Sequence, residues 1–442
     1  PGAYGGYRSP SNNNTFTLSD GNQLLLMDDA TGHYMYPSSP LRVDGRNQFF
    51  HTGIYKVPPP ASHKVFQVNA WWQPADWRWD ATEHFNLMEG IYFGAYGNES
   101  PSGTMPRGAG IEDVSHQRLV MYARDAGMWI ITDRLRSSGT HEYAQQWLLP
   151  LRPPANTPIK ELRTGAAFDA SKITADAASK KIATHEPTVP VASNGKMIDM
   201  PKVNLSLYQF SAMPLKYSSK VEFRGKEYGY YMYPSRDRVQ AAWSGTGDQQ
   251  VITLVFPRAA GTGAEGDLKS SQQITSGKGG IGFVAVSPNG KTVKYLSSFV
   301  KNDVLTLDKV SIEGRALLLS GDRGMALGTS KMTVDDKAIK LPTPDVEFAL
   351  NNGAPQLTPI YRPISPVEIA PDRNVFAGKV LITLASKTPG VQIHYTTDGS
   401  EPTPESPIYA KPFTLTKSPD VMARAYRPGV PKNPPTQSGT EA

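Results

Sequence analysis

The feature that most constrains this chain is an alternation of apolar and polar residues, repeated in many runs of strand length. TFTLSDGNQLLLM, HKVFQVNAW, LVMYA, GMWIITDRL, VNLSLYQF, KVEFRG, QQVITLVFP, GIGFVAVS, KTVKYLSSFV and DVLTLDKVSI are all bounded by Gly, Pro, Asn, Asp or Ser. A period of two is the signature of a strand with one buried face. A helical stripe at i, i+3, i+4 and i+7 is hard to find, the best candidates being IKELRTGAAF and ASKITADAASKKIAT. Many short strands without intervening helices predict antiparallel sheets packed face to face, not a parallel α/β fold.

At 442 residues the chain is too long for one compact core, and two or three domains are expected. The fold class is all-β: a large antiparallel super-β-sandwich over residues 1–350, then a small Ig-like β-sandwich over 371–430. Between them, LPTPDVEFALNNGAPQLTPIYRPISPVEIAP is Pro-rich with little periodicity and predicts a linker at 351–370. The tail 431–442, PKNPPTQSGTEA, lacks apolar anchors and is expected to be disordered.

Cysteine is absent, which excludes disulfides, a thiolate zinc site and a cysteine nucleophile, and leaves His, Asp, Glu or carbonyl oxygen for any metal. No run approaches the roughly 18 to 20 apolar residues that span a bilayer, so no membrane span is expected. The opening PGAYGGYRSP has neither a charged nor an apolar export region, and a start at Pro1 points to a processed product or the later part of a longer polypeptide. The net charge of +6 is dispersed and suits an acidic polysaccharide as well as nucleic acid. KSSQQITSGKGGIGF and GTGAEG lack the phosphate-loop pattern and its following helix, so a nucleotide ligand is not expected.

Several stretches concentrate polar and aromatic groups. In DDATGHYMY, residues 28–36, a strand places Tyr34 and Tyr36 on one face and His33 and Met35 on the other, so His33 and Tyr34 cannot act together. His51 and Tyr55 lie in QFFHTGIYK, a Gly-containing loop of the kind that carries binding groups. WWQPADWRW, residues 71–79, gathers Trp71, Trp72, Trp77 and Trp79 around Arg78; flat rings suit sugars and sandwich cores alike. In SHQRLVMYARDAGMWIITDRL, His116 and Arg118 share a strand face and Asp133 ends the next strand. That spacing predicts a buried ion-pair or hydrogen-bond corner holding the sandwich together.

The segment QIHYTTDGSEPTPESPIYAKPFTL, followed by VMARAYRPG, resembles the chitobiase/β-hexosaminidase C-terminal (Fn3-associated) domain, an Ig-like appendage of carbohydrate-active enzymes. There Ile393 and Tyr395 are expected to face inward, Asp398 and Gly399 to form a hairpin turn, and Glu401-Pro402-Thr403 to end the pairing.

The block SHQRLVMYARDAGMWIITDRLRSSGTHEYAQQWLLP, residues 115–150, resembles the β-sandwich half of heparinase II/III-like polysaccharide lyases. NNNTFTLSDGNQLLLMDDATGHYMYP is similar to the opening strand pair of that domain, with Asp28 or Asp29 near its turn aspartate. Hyaluronate and chondroitin AC-type lyases are a sister resemblance, through SDGNQLLLMDDATGHY. These resemblances span roughly residues 10–340 and imply β-elimination on a uronate-containing acidic polysaccharide. Such chemistry needs a group that neutralises the sugar carboxylate, a base for the C5 proton and an acid for the leaving oxygen.

Carried onto this chain, the resemblance implies His51, Tyr34 and Tyr36 as catalytic groups. Asn12 and Asn14, at the place of the family's histidines, and Tyr55, Trp71, Trp72, Trp77 and Arg78, from their loop and aromatic chemistry, are the expected substrate contacts. A zinc or calcium ion is implied at Asp29 and His51, two ligands where zinc takes three or four unless Asn14, His33 or another chain contributes. The helical α/α toroid that supplies most catalytic groups in the family is implied upstream or on another chain, and a secreted or periplasmic location goes with it. The sequence departs from the pattern at RSPSNNN, where Asn12, Asn13 and Asn14 stand in place of histidines. Asparagine holds a carboxylate but relays no proton, so a non-catalytic carbohydrate-binding or surface scaffold protein is the alternative.

Overall fold

The computed structural model describes residues 41–48, 75–97, 110–151, 203–222, 235–351 and 354–428, apart from short internal gaps, together with strand segments at 18–20, 23–26, 181–185, 192–193 and 196–197. The chain divides into two compact units, Pro1–Ile360 and Tyr361–Ala442. Every strand pair is antiparallel, and the helical elements among the described residues are two three-residue 3-10 turns. The all-β expectation therefore holds. The end of the second helix candidate is a strand, Lys181–His185, because its Ala and Thr residues align against Leu205–Tyr208 of the neighbouring strand.

The large unit is organised by two strands of unusual length, Met128–Leu151 and Ser235–Ala259, of 24 and 25 residues. Fully extended, such a ribbon would run roughly 80 Å, far beyond any single layer of a domain. It folds over instead. The register between the two strands breaks between Gly245 and Gly247, opposite His141 and Ser137, and Gly247 adopts a φ of +74°. A bulge with a left-handed glycine is how a strand pair turns a corner. Beyond it the second half of the ribbon lies back on the first, so that Gln145 hydrogen-bonds Asp133 twelve residues earlier.

Each half then recruits its own neighbours. The half built from Met128–Ser137 and Gly247–Ala259 belongs to a seven-stranded layer that also contains Lys181–His185, Val203–Phe210, Val114–Ala123, Phe85–Tyr92 and, at its edge, Ala75–Ala81. The other half pairs with Lys216–Glu222 on one side and Leu41–Val43 on the other, making a four-stranded outer layer. Leu41, Val43, Tyr143, Trp147, Leu149, Val239 and Trp243 from the outer layer pack on Val120, Ile131, Leu135, Leu205, Leu207 and Val251 of the seven-stranded one.

Two further layers follow. A second seven-stranded sheet runs from Ser270–Ser276 to Gln356–Pro359, and its Phe283, Tyr295, Leu318 and Met325 meet Leu119, Met121, Ile130, Phe210 and Leu254 of the first. Thr132 reaches the Tyr295 hydroxyl across this junction at 2.8 Å, and Glu89 pairs with Arg315. On its far face, Leu296, Leu317, Leu319 and Phe348 pack against Leu305, Leu307, Val310, Ile312 and Met332 of a four-stranded sheet. The large unit is thus a stack of four β-layers. Gln356–Pro359, inside the expected linker, is a strand of the third layer, and Ile360 is in the core.

The small unit has one sheet of Glu368–Ala370, Val380–Ala385 and Phe413–Leu415, and another of Gln392–Thr396 and Met422–Tyr426. Tyr395 stacks on Phe413 at 4.6 Å, joining the two sheets, and Ala425, opposite Ile393, is buried, so the inward placement of Ile393 and Tyr395 stands. Gln392–Thr396 pairs on one edge with Met422–Tyr426, and on its other edge the chain beyond the Asp398-Gly399 turn comes back antiparallel, Ile408 bridging His394, so the turn expected there opens a wide hairpin. Gly399, at φ +77°, lies at the start of the connection, and its amide donates to the Asp420 carbonyl. His394 is buried, its Nδ1 2.7 Å from the Ser406 carbonyl oxygen, and the Tyr426 hydroxyl donates to the Pro402 carbonyl.

A Cβ at Gly247 would meet nothing within 4 Å, so its cost there is backbone strain alone. Gly247→Ala is expected to lower the unfolding free energy by about 1 kcal/mol in urea titrations. Gly247→Asn, which tolerates this conformation, is expected to cost less; equal stability of both variants with wild type would show that the corner does not depend on it.

Candidate functional site

Most residues implicated by sequence, namely Asn12, Asn14, Asp29, Tyr34, Tyr36, His51, Tyr55, Trp71 and Trp72, lie outside the described residues. Trp77 and Arg78 lie in the edge strand Ala75–Ala81, opposite Gly90 and Glu89. Trp79, two positions further, is 55% exposed, leaving a ring open at the sheet edge. The described residues place two polar centres between or beside the first two layers.

The first is a buried clamp. Asp133 accepts from His116 Nε2 at 2.6 Å, from Arg118 Nε at 2.6 Å and Nη2 at 2.9 Å, and from the Gln145 side-chain amide. Gln145 lies on the folded-back half of the ribbon; its Oε1 accepts from Trp147 Nε1 at 3.2 Å and from the Gln209 amide. The Arg118 guanidinium sits 5.3 Å over the Trp147 ring. The buried corner predicted from the His-x-Arg and Asp spacing is therefore formed, and it ties the seven-stranded layer to the outer one.

Burial alone would push the Asp133 carboxyl up, but the Arg118 charge and the hydrogen bonds hold it well below the usual carboxylate range. Burial pulls His116 down against the opposing effect of Asp133, so the imidazole is neutral and donates from Nε2. With the Asp133 carboxylate, the His116 imidazole and the Arg118 guanidinium all buried and hydrogen-bonded to one another, this centre has the make-up of a structural clamp.

The second centre lies at the ribbon corner. His141 places Nδ1 2.8 Å from Asp44 and Nε2 3.0 Å from Asp113. Asp113 also accepts from the Gly139 amide at 2.8 Å and the Ser138 hydroxyl at 2.9 Å, and Asp44 accepts from the Glu142 amide at 2.8 Å. Two carboxylates thereby satisfy amides that the corner leaves unpaired. Burial lowers the His141 pKa, but the hydrogen bonds and charges of Asp44 and Asp113 outweigh it and raise it. Both carboxyls are themselves held below their ordinary range, burial notwithstanding.

Flanked by a carboxylate at each nitrogen, the imidazole has its protonated form favoured. Sequence reading missed this trio, because its members lie in the separate stretches VDGR, IEDV and GTHEY and only the folded ribbon joins them. The one signal available was an aspartate beside each turn.

Among the described residues no group of three or more His, Cys, Asp or Glu is arranged to hold a metal ion. The implied zinc or calcium rests on Asp29 and His51, both outside those residues.

The family described as Fn3 associated matches residues 382–437, the segment whose motif predicted it, and the match extends into the expected tail. No curated protein matches the chain. Among solved structures it is weakly similar to heparan sulfate lyase HepC from Pedobacter heparinus, with a TM-score of 0.30 and 12% identity over 57% of this chain and 35% of that one. A heparinase III matches with a TM-score of 0.29 and 13% identity over 58% of this chain and 34% of the other. The chain thus spans about a third of the length of these proteins. Likeness at this level fixes no residue role.

Removing one partner of a buried ion pair typically costs about 3–5 kcal/mol, so Asp133→Leu is expected to unfold the large unit at physiological temperature. Replacing His116, Arg118 and Asp133 together by Leu, Met and Leu is expected to be less damaging than Asp133→Leu alone, as calorimetry would show.

For His141 the folded pKa is raised, so its contribution to stability is full below the unfolded value near 6.5 and is lost as pH rises through the folded value. The melting-temperature gap between wild type and His141→Asn is therefore expected to be widest in mild acid and to close in alkali. In strong acid it closes again as Asp44 and Asp113, whose folded pKa values are lowered, take up protons.

Proposed function

We propose that this chain is the β-sandwich portion of a polysaccharide lyase that cleaves a uronate-containing acidic polysaccharide by β-elimination. The observation that carries this reading is the 115–150 block: His116, Arg118 and Asp133, which carry its resemblance to the heparinase II/III-like lyases, meet in one buried clamp. The resemblance and the clamp together support the reading, and the chemistry belongs to residues elsewhere.

In this proposal Asn12 and Asn14 neutralise the sugar carboxylate, whose charge grows as the C5 proton leaves. Tyr34, Tyr36 or His51 removes that proton and returns one to the departing glycosidic oxygen. Tyr55, Trp71, Trp72, Trp77 and Arg78 contact the neighbouring sugars, and a helical toroid from elsewhere in the protein or from another chain completes the machinery. The corner of Asp29 and His51 would hold a zinc or calcium that orders the site. A secreted or periplasmic setting, where such polysaccharides occur, accompanies the proposal. The exposed Trp79 ring and the asparagines at 12–14 favour a second reading, a carbohydrate-binding protein without chemistry.

The test is incubation with a panel of uronate polysaccharides, using the chain alone and joined to any further region its gene encodes, while following ultraviolet absorbance of unsaturated uronate. Product is expected, with a rate reduced about 100-fold or more by Tyr34→Phe or His51→Ala. Retained polysaccharide binding with no product from either form would establish the second reading. Elemental analysis of protein purified without chelator is expected to find one equivalent of metal, absent from His51→Ala.

A further inference from the structure

Where the two seven-stranded sheets of the large unit meet, three arginines come together. Arg136, at the exposed rim, pairs with Asp248 at two points, Nε to Oδ1 at 2.6 Å and Nη2 to Oδ2 at 3.0 Å. Arg315 pairs with Glu89 through both of its terminal nitrogens, and Gln117 donates to the same carboxylate at 2.6 Å. Arg134 is only 3% exposed, the most deeply buried of the three, yet no described carboxylate lies within ion-pair distance of it. The carboxylates whose charge reaches it are Glu89 and Asp248, and each is already held by another arginine. Asp345, which acts on Arg315, accepts from the Gly328 amide at 2.6 Å.

Neutral groups hold Arg134 in position, and none neutralises it. Both of its hydrogen bonds leave from Nη2, to the Ser297 hydroxyl and to the Arg315 carbonyl oxygen at 2.8 Å, while Nε is buried without a partner. Its guanidinium lies 5.2 Å from the centre of the half-buried Phe299 ring. Burial and the neighbouring Arg315 charge pull its pKa down to about 10, so at neutral pH it still carries its proton. A buried charge is costly unless it is paired.

The register shows that this chain does not supply the pair. Directly across from Arg134 stand Gln117 on one neighbouring strand and Gln250 on the other. A glutamate at either position would have closed an internal ion pair. Both are amides, and both are committed: Gln117 to Glu89, Gln250 to the Ser297 carbonyl oxygen at 2.8 Å and the Ser297 hydroxyl at 3.2 Å. One surplus charge with one unused donor suits a small singly charged anion. A sulfate or phosphate would need more donors than remain, and a sugar carboxylate is too bulky for a group so covered. Arg136, two residues on, is exposed, so the site lies one step in from the rim.

We propose that Arg134 holds a small singly charged anion, chloride or bromide, at its Nε edge, and that this ion helps bind the two seven-stranded sheets together. The proposal rests on the charge imbalance of the junction and is independent of lyase chemistry.

The test compares thermal melts of the full chain in about 0.15 M sodium chloride or bromide with melts in sodium gluconate at the same ionic strength, so that screening is equal. An anion that binds only the folded state raises its melting temperature, and an increase of about 2 °C or more is expected for the large unit. Gln250→Glu, which places a carboxylate across from Arg134, is expected to melt in gluconate as high as wild type does in chloride and to lose the halide response. Arg134→Met is expected to lose the response as well, whereas Lys337→Ser, at an exposed position of the fourth layer, keeps it. Because these core variants also change hydrogen bonds, the linewidth of the chloride magnetic resonance is followed with wild-type protein; saturable broadening, reversed by bromide, is expected.

Equal melting of wild type in halide and gluconate would overturn the proposal, as would a halide response that survives in Gln250→Glu. Absence of saturable chloride broadening with wild type would overturn it whatever the variants do. In each case Arg134 would be a structural arginine satisfied by Phe299 and its two oxygen acceptors.

Discussion

Everything in the large unit depends on a ribbon that folds back on itself. Two strands of 24 and 25 residues expose more backbone and apolar surface than one layer can cover, and bending at Gly247 lets one half become the lid of the other. The apolar faces of both halves then share a core, and each half offers free edges to different neighbours. The seven-stranded layer and the four-stranded outer layer are consequences of that single bend, and the third and fourth layers stack on the surface it creates.

Folding back brings polar groups together as well as apolar ones. Asp133 is buried only because Gln145 and Trp147 return over it, and it is tolerable there only because Arg118 and His116 supply charge and hydrogen bonds. The corner has the opposite problem: unpaired amides at Ser138, Gly139 and Glu142 need acceptors, and Asp113 and Asp44 provide them with His141 between. The two histidines are shifted in opposite directions for this reason. Full burial lowers the His116 pKa, while two flanking carboxylates raise that of His141.

Much of the architecture was readable before any coordinates. Period-two alternation in runs such as VNLSLYQF and QQVITLVFP predicted strands, and the spacing of His116, Arg118 and Asp133 predicted the clamp. Failures came where local pattern and tertiary pairing disagree. Asp398-Gly399 has the chemistry of a hairpin turn, and the chain does return to bridge His394 with Ile408, but the partner along the whole of Gln392–Thr396 is the distant Met422–Tyr426, which local pattern does not mark. The alanines before His185 have helical propensity, yet Lys181–His185 meets a waiting edge and extends. Asp44, Asp113 and His141 were invisible as a set because nothing in a linear chain marks residues that a bend will join.

By itself, the sequence determined which residues alternate, where turns fall, that no thiol chemistry is available, and that the C-terminal segment carries an Fn3-associated motif. Those are local properties, set by side-chain periodicity and turn chemistry within a few residues. Only the tertiary structure decided that one ribbon would serve two layers and which aspartate would meet which histidine. These depend on register between strands far apart in the chain, and register is fixed by shared burial that no single strand encodes.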